Sequence, residues 1–111
     1  MNRTEFLEFH EKFTEDMKKI TKAKNHDYSG FGGDNPFANF EIVESSGIAS
    51  TEQGFLTRMM DKISRINSFI QQGVCEVEDE KIEDTLKDLA NYSILMAGYL
   101  KNKKKNSLRT H

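Results

Sequence analysis

The sequence predicts an all-α domain, a helical bundle of three long helices and one short helix. Two observations predict this class. Apolar residues recur at three- and four-residue steps in three long segments, and residues that start or stop helices lie between those segments. The only candidate for extended structure is the short piece at 73–77. The chain has 111 residues, which is the length of one domain.

The first helix is predicted from about Glu5 to Ala23, with Thr4 as its N-cap. Its apolar stripe consists of Phe6, Phe9, Phe13, Met17 and Ile20. Turn-forming residues follow Ala23 and favour a loop. Asn35 and Pro36 are expected to open the short helix, because asparagine is a common cap and proline suits the first helical position. The buried side of the short helix is expected on Phe37, Phe40, Ile42 and Val43.

The third helix is expected to start at Ser50 or Thr51 and to end before Gly73. Its apolar stripe is expected on Phe55, Leu56, Met59, Met60, Ile63, Ile66 and Ile70. The fourth helix is expected from about Lys81 to Leu100. Its core line is expected on Ile82, Leu86, Leu89, Ser93, Met96 and Leu100.

The second half of the fourth helix is apolar nearly all round. A helix of this kind is central in a bundle or lies at a subunit contact. We therefore expect a single domain at residues 1–100, completed by oligomerisation into a dimer or a higher homo-oligomer. The polar, basic tail at 101–111 is expected to be disordered.

Composition excludes several functional classes. The net charge of −2 argues against a specific nucleic-acid partner, although the tail carries a run of basic residues. The single cysteine, Cys75, cannot form an intrachain disulfide and fits a reducing compartment. The charged N-terminus is no signal peptide, and no apolar run is long enough to span a bilayer. We expect a cytoplasmic protein without a membrane partner.

Two carboxylates of the fourth helix, Asp84 and Asp88, lie one turn apart and share a face that Asn91 extends. Carboxylates at this spacing bind Mg²⁺, which takes substrate phosphates as further ligands. Glu80 and Glu83 lie nearby and are candidates for a further ligand or a general base. The alternative is a solvated acidic face near a helix N-terminus, where acids are favoured in any case.

The third helix carries a second charged group, Arg58, Asp61, Lys62 and Arg65, at spacings of three and four residues. As a functional site, Asp61 helps to hold the metal while the basic side chains take a phosphate. As a purely structural feature, the group is a set of exposed ion pairs within one helix.

The segment between Lys22 and Phe40 combines basic residues, glycines, aromatics and amides. Lys22 and Lys24 offer point charges for phosphates, and Asn35 and Asn39 offer amides for base edges. The glycines permit close backbone approach, but no Gly-Lys-Ser/Thr follows them, so the segment is no P-loop. Aromatic side chains including Tyr28 and Phe37 either stack on a base or belong to the core.

Four segments together resemble the small phage and bacterial proteins called nucleotide-modification-associated domains of the first type. They are Lys-Asn-His-Asp-Tyr-Ser (24–29), Asn-Pro-Phe-Ala-Asn-Phe (35–40), Arg-Met-Met-Asp-Lys-Ile-Ser-Arg (58–65) and Glu-Asp-Thr-Leu-Lys-Asp-Leu-Ala-Asn-Tyr (83–92). The resemblance covers the chain from about Lys22 to Tyr99. It implies that Asn25, Asp27 and Tyr92 also contribute to a nucleotide site, in host cytoplasm if a phage encodes the chain.

That family is in turn distantly similar to the MazG-type all-α NTP pyrophosphohydrolases. This resemblance implies Mg²⁺-dependent cleavage of a nucleoside triphosphate by a helical dimer or tetramer. Asp84 and Asp88 match the second acidic helix of those enzymes, and Asp61 matches the first. The first acidic helix of MazG-type enzymes reads Glu-x-x-Glu, whereas Arg58 here takes the place of one glutamate.

Three functions follow from these observations. The first is a Mg²⁺-dependent NTP pyrophosphohydrolase in nucleotide metabolism or modification, with Glu80 or Glu83 as the catalytic carboxylate. The second is a non-catalytic protein that binds or sequesters a nucleotide, such as a signalling nucleotide in anti-defence. The third is a helical oligomeric partner protein without a ligand.

Overall fold

The computed structural model describes residues 1–28, 33–73 and 81–109, and the side chains in these ranges except those of residues 26–28, 108 and 109. The described residues form four helices. These are α1 (Arg3–Tyr28), α2 (Ala38–Ser45), α3 (Thr51–Gln72) and α4 (Ile82–Arg109). The predicted all-α class with three long helices and one short helix is confirmed. None of the four is both long enough and apolar enough to cross a bilayer. Most of the proposed extended piece at 73–77 lies outside the described residues.

The helices α3 and α4 form the main layer of the fold. They run antiparallel, because Glu52 near the start of α3 pairs with Lys103 near the end of α4, while Lys62 further along α3 pairs with Asp88. The start and end of α3 agree with the prediction. Ser50 forms a capping box with Gln53, and Gly73 closes the helix in a left-handed conformation with φ of 75°.

An aromatic cluster joins α2 to this layer. Phe40 of α2 is 1% exposed, and its ring stacks on that of Phe55 of α3 with 4.2 Å between centroids. Tyr92 of α4 meets the same Phe40 ring edge-on at 6.2 Å, and Tyr99 lies 5.7 Å from Phe55. Aromatic pairs at these separations add stability beyond the area that they bury. The close approach of α2 to α3 is possible because Gly54 lacks a Cβ, which would lie 2.9 Å from the Val43 side chain.

The structure buries a different face of α4 from the predicted one. On the predicted core line, Ser93 is exposed and Leu86 and Leu100 are each 43% exposed, so this part of the prediction is wrong. The face that packs against the rest of the chain instead carries Thr85, Asn91, Tyr92, Leu95 and Tyr99. The reason lies in the partners. Phe37, Phe40 and Phe55 contact the rings of Tyr92 and Tyr99 on α4, and Leu95 belongs to the same buried cluster.

The same error affects the predicted stripe on α3. Phe55 is fully buried and Met59 and Ile66 are half-buried, but the other four members of the stripe lie largely in solvent. The exposed side chains of that stripe are Leu56, Met60, Ile63 and Ile70, with exposures from 43% to 73%. Ile42 of α2, also predicted to be buried, is 53% exposed. Apolar periodicity therefore located the helices correctly but did not identify which apolar face each helix buries.

Three helix ends also differ from the prediction. At the start of α1 the cap is Asn2, not Thr4, because the Asn2 side chain accepts a hydrogen bond from the Glu5 amide. At its other end α1 continues past Ala23 to Tyr28, and it contains no glycine or proline that would stop it. The helix α2 begins at Ala38, and the Asn35 side chain caps the preceding turn by accepting from the Phe37 amide.

The fourth helix continues past its predicted end at Leu100 and includes the basic segment to Arg109. Residues 101–109 are therefore helical, where disorder was expected. One ion pair ties this extension to α3, with Lys103 Nζ 2.8 Å from Glu52 Oε2. The hydrogen bond from Lys103 lowers the pKa of Glu52, and the hydrogen bond to Glu52 raises the pKa of Lys103.

The two shifts define the pH range in which the pair stabilises the extension. Glu52 contributes above its ordinary pKa of 4.5 and loses that contribution as the pH falls, whereas Lys103 contributes below 10.5. We expect amide-exchange protection of residues 101–109, corrected for intrinsic rates, to be constant near neutrality and to fall below about pH 4.5. Lys103→Met should remove this dependence, and Lys104→Met should not. The same pH dependence of protection in both variants would contradict the prediction.

Candidate functional site

A single carboxylate joins three of the four helices. The two oxygens of Asp88 on α4 contact two ammonium groups, Lys24 Nζ of α1 at 3.1 Å and Lys62 Nζ of α3 at 3.3 Å. The side chains of Lys62 and Asp88 are only 13% and 15% exposed, whereas that of Lys24 is 41% exposed. We call this group of Lys24, Lys62 and Asp88 the lysine–aspartate junction. Within this group, two ammonium groups contact one carboxylate in a partly desolvated position.

The position of Lys24 depends on how α1 docks against α4. Asn91 of α4 is 8% exposed, and its Nδ2 donates to the backbone oxygen of Met17, 3.3 Å away. Met17 is buried at the same place. Because α1 remains helical beyond Ala23, Lys24 follows Met17 by about two turns and reaches the junction. The junction is therefore a product of the unpredicted extension of α1.

The basic side chains of α3 continue the positive charge of the junction along one helix face. Arg58, Lys62 and Arg65 follow one another at steps of four and three residues, which places them on one side of α3. The Arg58 guanidinium lies 4.5 Å from the centroid of the Phe40 ring, so the aromatic core orients it. Arg65 Nε donates to Asp61 Oδ2 at 3.2 Å.

The described residues do not fit a metal site formed by the protein alone. Asp61 is 58% exposed and paired with Arg65, and both oxygens of Asp88 are paired with lysines. No group of three or more acidic, histidine or cysteine side chains in the described residues is arranged to hold a metal ion. Mg²⁺ requires oxygen ligands in near-octahedral geometry, and the cations that surround these two carboxylates compete with it.

The comparison with protein families adds an independent finding. The family model described as nucleotide modification associated domain 1 matches residues 24–97. The chain belongs to this family. No curated protein and no solved structure matches the chain. All three residues of the junction lie within the matched segment, as do Arg58, Arg65 and Asn91.

This member of the nucleotide modification associated domain 1 family places two predicted nucleotide-binding aromatics in its core. Phe37 packs edge-on against Tyr99 at 5.7 Å, and Tyr92 is buried against Phe40. Asn35 is exposed, and its amide donates to Glu41. Asn39 is half-buried near these rings, and its side chain makes no hydrogen bond to another described residue.

The remaining predicted residues lie on α1, in the first turn of α4 or outside the described part of the chain. Lys22 and Asn25 are exposed on α1 near Lys24. The backbones of Asp27 and Tyr28 belong to α1, but their side chains lie outside the described part of the chain, as does all of Glu80. Glu83 and Asp84 are exposed in the first turn of α4 and form no ion pair with another described residue.

A cleft between α1 and α4 was not predicted from the sequence. The cleft has a volume of about 220 Å³, and Glu83 forms part of its wall rather than meeting Asp84 and Asp88. The other lining residues are Phe9, Lys12, Phe13, Asp16 and Lys87. Lys87 Nζ lies 3.7 Å from Asp16 Oδ2 and 5.2 Å from the centroid of Phe13. A signal was present in the sequence, since Phe9, Phe13 and Asp16 share one side of α1 at steps of four and three residues.

The junction should contribute to stability as well as to charge. In Asp88→Asn the two lysines lose the carboxylate that compensates them, and we expect the free energy of unfolding to fall by about 1–3 kcal/mol. The matched control is Asp61→Asn, which breaks an exposed pair within one helix and should change the free energy by less than about 0.5 kcal/mol. Urea denaturation measures both. Equal effects of the two substitutions would mean that the junction has no special energetic role.

Proposed function

We propose that this chain binds a nucleotide through its phosphate groups at the lysine–aspartate junction. The observation that carries the proposal is the convergence of Lys24 and Lys62, from two different helices, on one partly buried carboxylate. Membership of a nucleotide modification associated family supports a nucleotide as the ligand. The net charge of −2 favours a small anion at a local site over a long polyanion.

The junction suits phosphate because its two ammonium groups are already ordered. Asp88 holds both lysines in place, so less side-chain entropy is lost when a phosphate oxygen accepts hydrogen bonds from them. Arg58 and Arg65 extend the positive face along α3, and their guanidinium groups can form ion pairs with further phosphates. A guanidinium presents several donors in a fixed plane, which suits phosphate oxygens.

Mg²⁺-dependent pyrophosphohydrolysis of a nucleoside triphosphate is the second candidate function. The observation that favours it is the presence of two exposed carboxylates, Glu83 and Asp84, that form no ion pair with another described residue. A bound Mg²⁺ supplies charge neutralisation at the phosphates. The pairing of Asp61 and Asp88 with basic side chains favours binding without turnover.

Binding should depend on Lys62. We expect nucleoside triphosphates to bind in calorimetry in the presence of EDTA, and Lys62→Met to weaken that binding about tenfold or more, since a hydrogen bond to a charged group contributes about 1.5–3 kcal/mol. Lys104→Met is the matched control, because Lys104 is an exposed lysine distant in sequence from the junction. Circular dichroism checks that both variants retain their helices.

Two outcomes would overturn this assignment. If no nucleotide binds the wild-type chain, the chain is not a nucleotide-binding protein. If Lys62→Met binds as tightly as the wild type, the junction is not the phosphate site. Release of pyrophosphate from a nucleoside triphosphate with Mg²⁺, abolished by Asp84→Asn, would establish hydrolysis in place of simple binding.

We also propose that two copies of the chain associate through one side of the α3–α4 layer. On α3, the exposed residues Leu56, Met60, Ile63 and Ile70 follow steps of four and three, with Asn67 completing the series. On α4 the corresponding series contains only uncharged residues, namely Leu86, Ala90, Ser93, Ala97 and Leu100. We call these two stripes the uncharged face. In a chain with 31% charged residues, an uncharged face on two adjacent helices indicates a protein contact.

A second copy is the partner that fits this face best. The four–three spacing is that of helices that pack side by side in coiled coils and four-helix bundles, so two antiparallel pairs complete a bundle. A two-fold contact uses the same patch on both copies, which suits a face without charge of either sign. Six large side chains exposed by 43–73% amount to several hundred Å², of the order of the ~800 Å² per partner in a stable interface.

The assembly should respond to a single charge in this face. Ile63→Glu should convert a dimer to a monomer in light scattering coupled to size exclusion, because the dimer would bury an unpaired carboxylate. The matched control is Leu7→Glu, which introduces the same charge at a 56% exposed position on α1 outside the face. A monomeric wild type, or an Ile63→Glu variant that remains dimeric, would contradict the proposed interface.

A further inference from the structure

A second recess lies between α1 and α4. It has a volume of about 200 Å³ and lies beside the hydrogen bond from Asn91 of α4 to the Met17 backbone oxygen of α1. Its lining residues are Thr14, Met17, Lys18, Thr21, Asn91 and Ile94. Most of its wall is carbon, and the polar groups are few and placed at separate points. This combination is typical of sites that hold a small organic ring.

One side-chain oxygen in the wall of the recess has an unused hydrogen-bonding capacity. Asn91 is 8% exposed, and its Nδ2 donates to Met17, but its Oδ1 accepts no hydrogen bond from the described residues. This oxygen is not one of the described side-chain atoms that are buried without a partner, so a ligand can reach it. The Asn91 carbonyl therefore favours a ligand that brings an N–H or O–H donor into the recess.

The two threonine hydroxyl groups of the recess differ in their hydrogen bonds. Thr14 donates to the backbone oxygens of its own helix, at His10 and Glu11. Thr21 forms no such bond to the described residues, so its hydroxyl is free to donate or to accept. Thr21 and Asn91 therefore supply two polar contacts to an otherwise apolar site.

The recess adjoins the lysine–aspartate junction along both helices. On α1, Thr21 precedes Lys24 by three residues, and on α4, Asp88 precedes Asn91 by three residues. Three residues of an α-helix rise about 4.5 Å. A ligand with a ring in the recess therefore carries its nearest charged group to the junction only if the two are joined by a short linkage.

We propose that the recess binds the base of the nucleotide whose nearest phosphate lies at the lysine–aspartate junction. The proposal rests on the function proposed above and adds the recognition of the base. The ring packs against Met17 and Ile94, an N–H of the base donates to Asn91 Oδ1, and Thr21 contacts a second polar atom of the ring or the sugar. The ligand class is a nucleoside 5′-phosphate, with any further phosphates directed towards Arg58 and Arg65.

The test fills the recess without disturbing the junction. Ile94 is 61% exposed, so Ile94→Trp can place a ring in the recess without loss of core packing. We expect this variant to bind nucleoside monophosphates at least tenfold more weakly than the wild type, and to bind inorganic tripolyphosphate equally well. The matched control is Ile42→Trp, at a 53% exposed position on α2 outside the recess. Thr21→Val, which keeps the side-chain volume, should weaken the monophosphates severalfold and leave tripolyphosphate unchanged.

The outcomes separate this proposal from the function on which it rests. If Lys62→Met weakens both ligands but Ile94→Trp weakens neither, the junction binds phosphate and the recess does not bind the base. If wild-type affinity is the same for inorganic phosphate and for every nucleoside monophosphate, the recess makes no contribution and the inference is overturned. If Lys62→Met changes the affinity for neither ligand, the junction is not the phosphate site, and the proposed function is wrong whatever the recess binds.

Discussion

Phe40 is the side chain on which the arrangement of the helices depends. It comes from the shortest helix, yet its ring contacts both helices of the main layer, at Phe55 of α3 and Tyr92 of α4. It is the one fully buried side chain of α2, since Ile42 is 53% exposed and Val43 is half-buried beside Gly54. The same ring supports the Arg58 guanidinium. The core and the basic face of α3 are thus connected through a single aromatic side chain.

The core and the candidate site share α4, because its buried face carries polar residues beside the core residues Tyr92, Leu95 and Tyr99. Threonine, asparagine and tyrosine occupy its inward positions, and Asp88 lies among them. Burial of polar groups is tolerated where each finds a partner, and Asn91 and Asp88 find theirs on α1 and α3. Leu86, Ile94 and Leu100 lie largely in solvent, whereas Leu95 is buried. The buried polar residues and the exposed leucines of α4 thus result from the same packing of α4 against α1 and α3.

Much of the fold followed from the sequence, and the reasons for the failures are specific. Helix number, the Ser50 cap and the Gly73 terminus were predictable because they depend on local backbone chemistry. The inward face of α4 was not predictable, because the second half of this helix is apolar nearly all round. Periodicity alone cannot choose between two apolar faces. The junction was predictable in composition, since Lys24, Lys62 and Asp88 were all candidates. Their direct contact was not, because it depends on long-range docking of α1, which no local signal specifies.

The residues that line the recess between α1 and α4 come partly from inside and partly from outside the segment that matches the family. Its Asn91 and Ile94 lie inside the segment that matches the family, whereas Thr14, Met17, Lys18 and Thr21 precede residue 24, where the match begins. The lysines and Asp88 lie wholly inside it. One wall is thus drawn from the shared part of the domain and the opposite wall from a part that family membership does not constrain. If the recess holds the base as proposed, this division would let related proteins keep the charged junction while the base preference changes through α1 residues before residue 24.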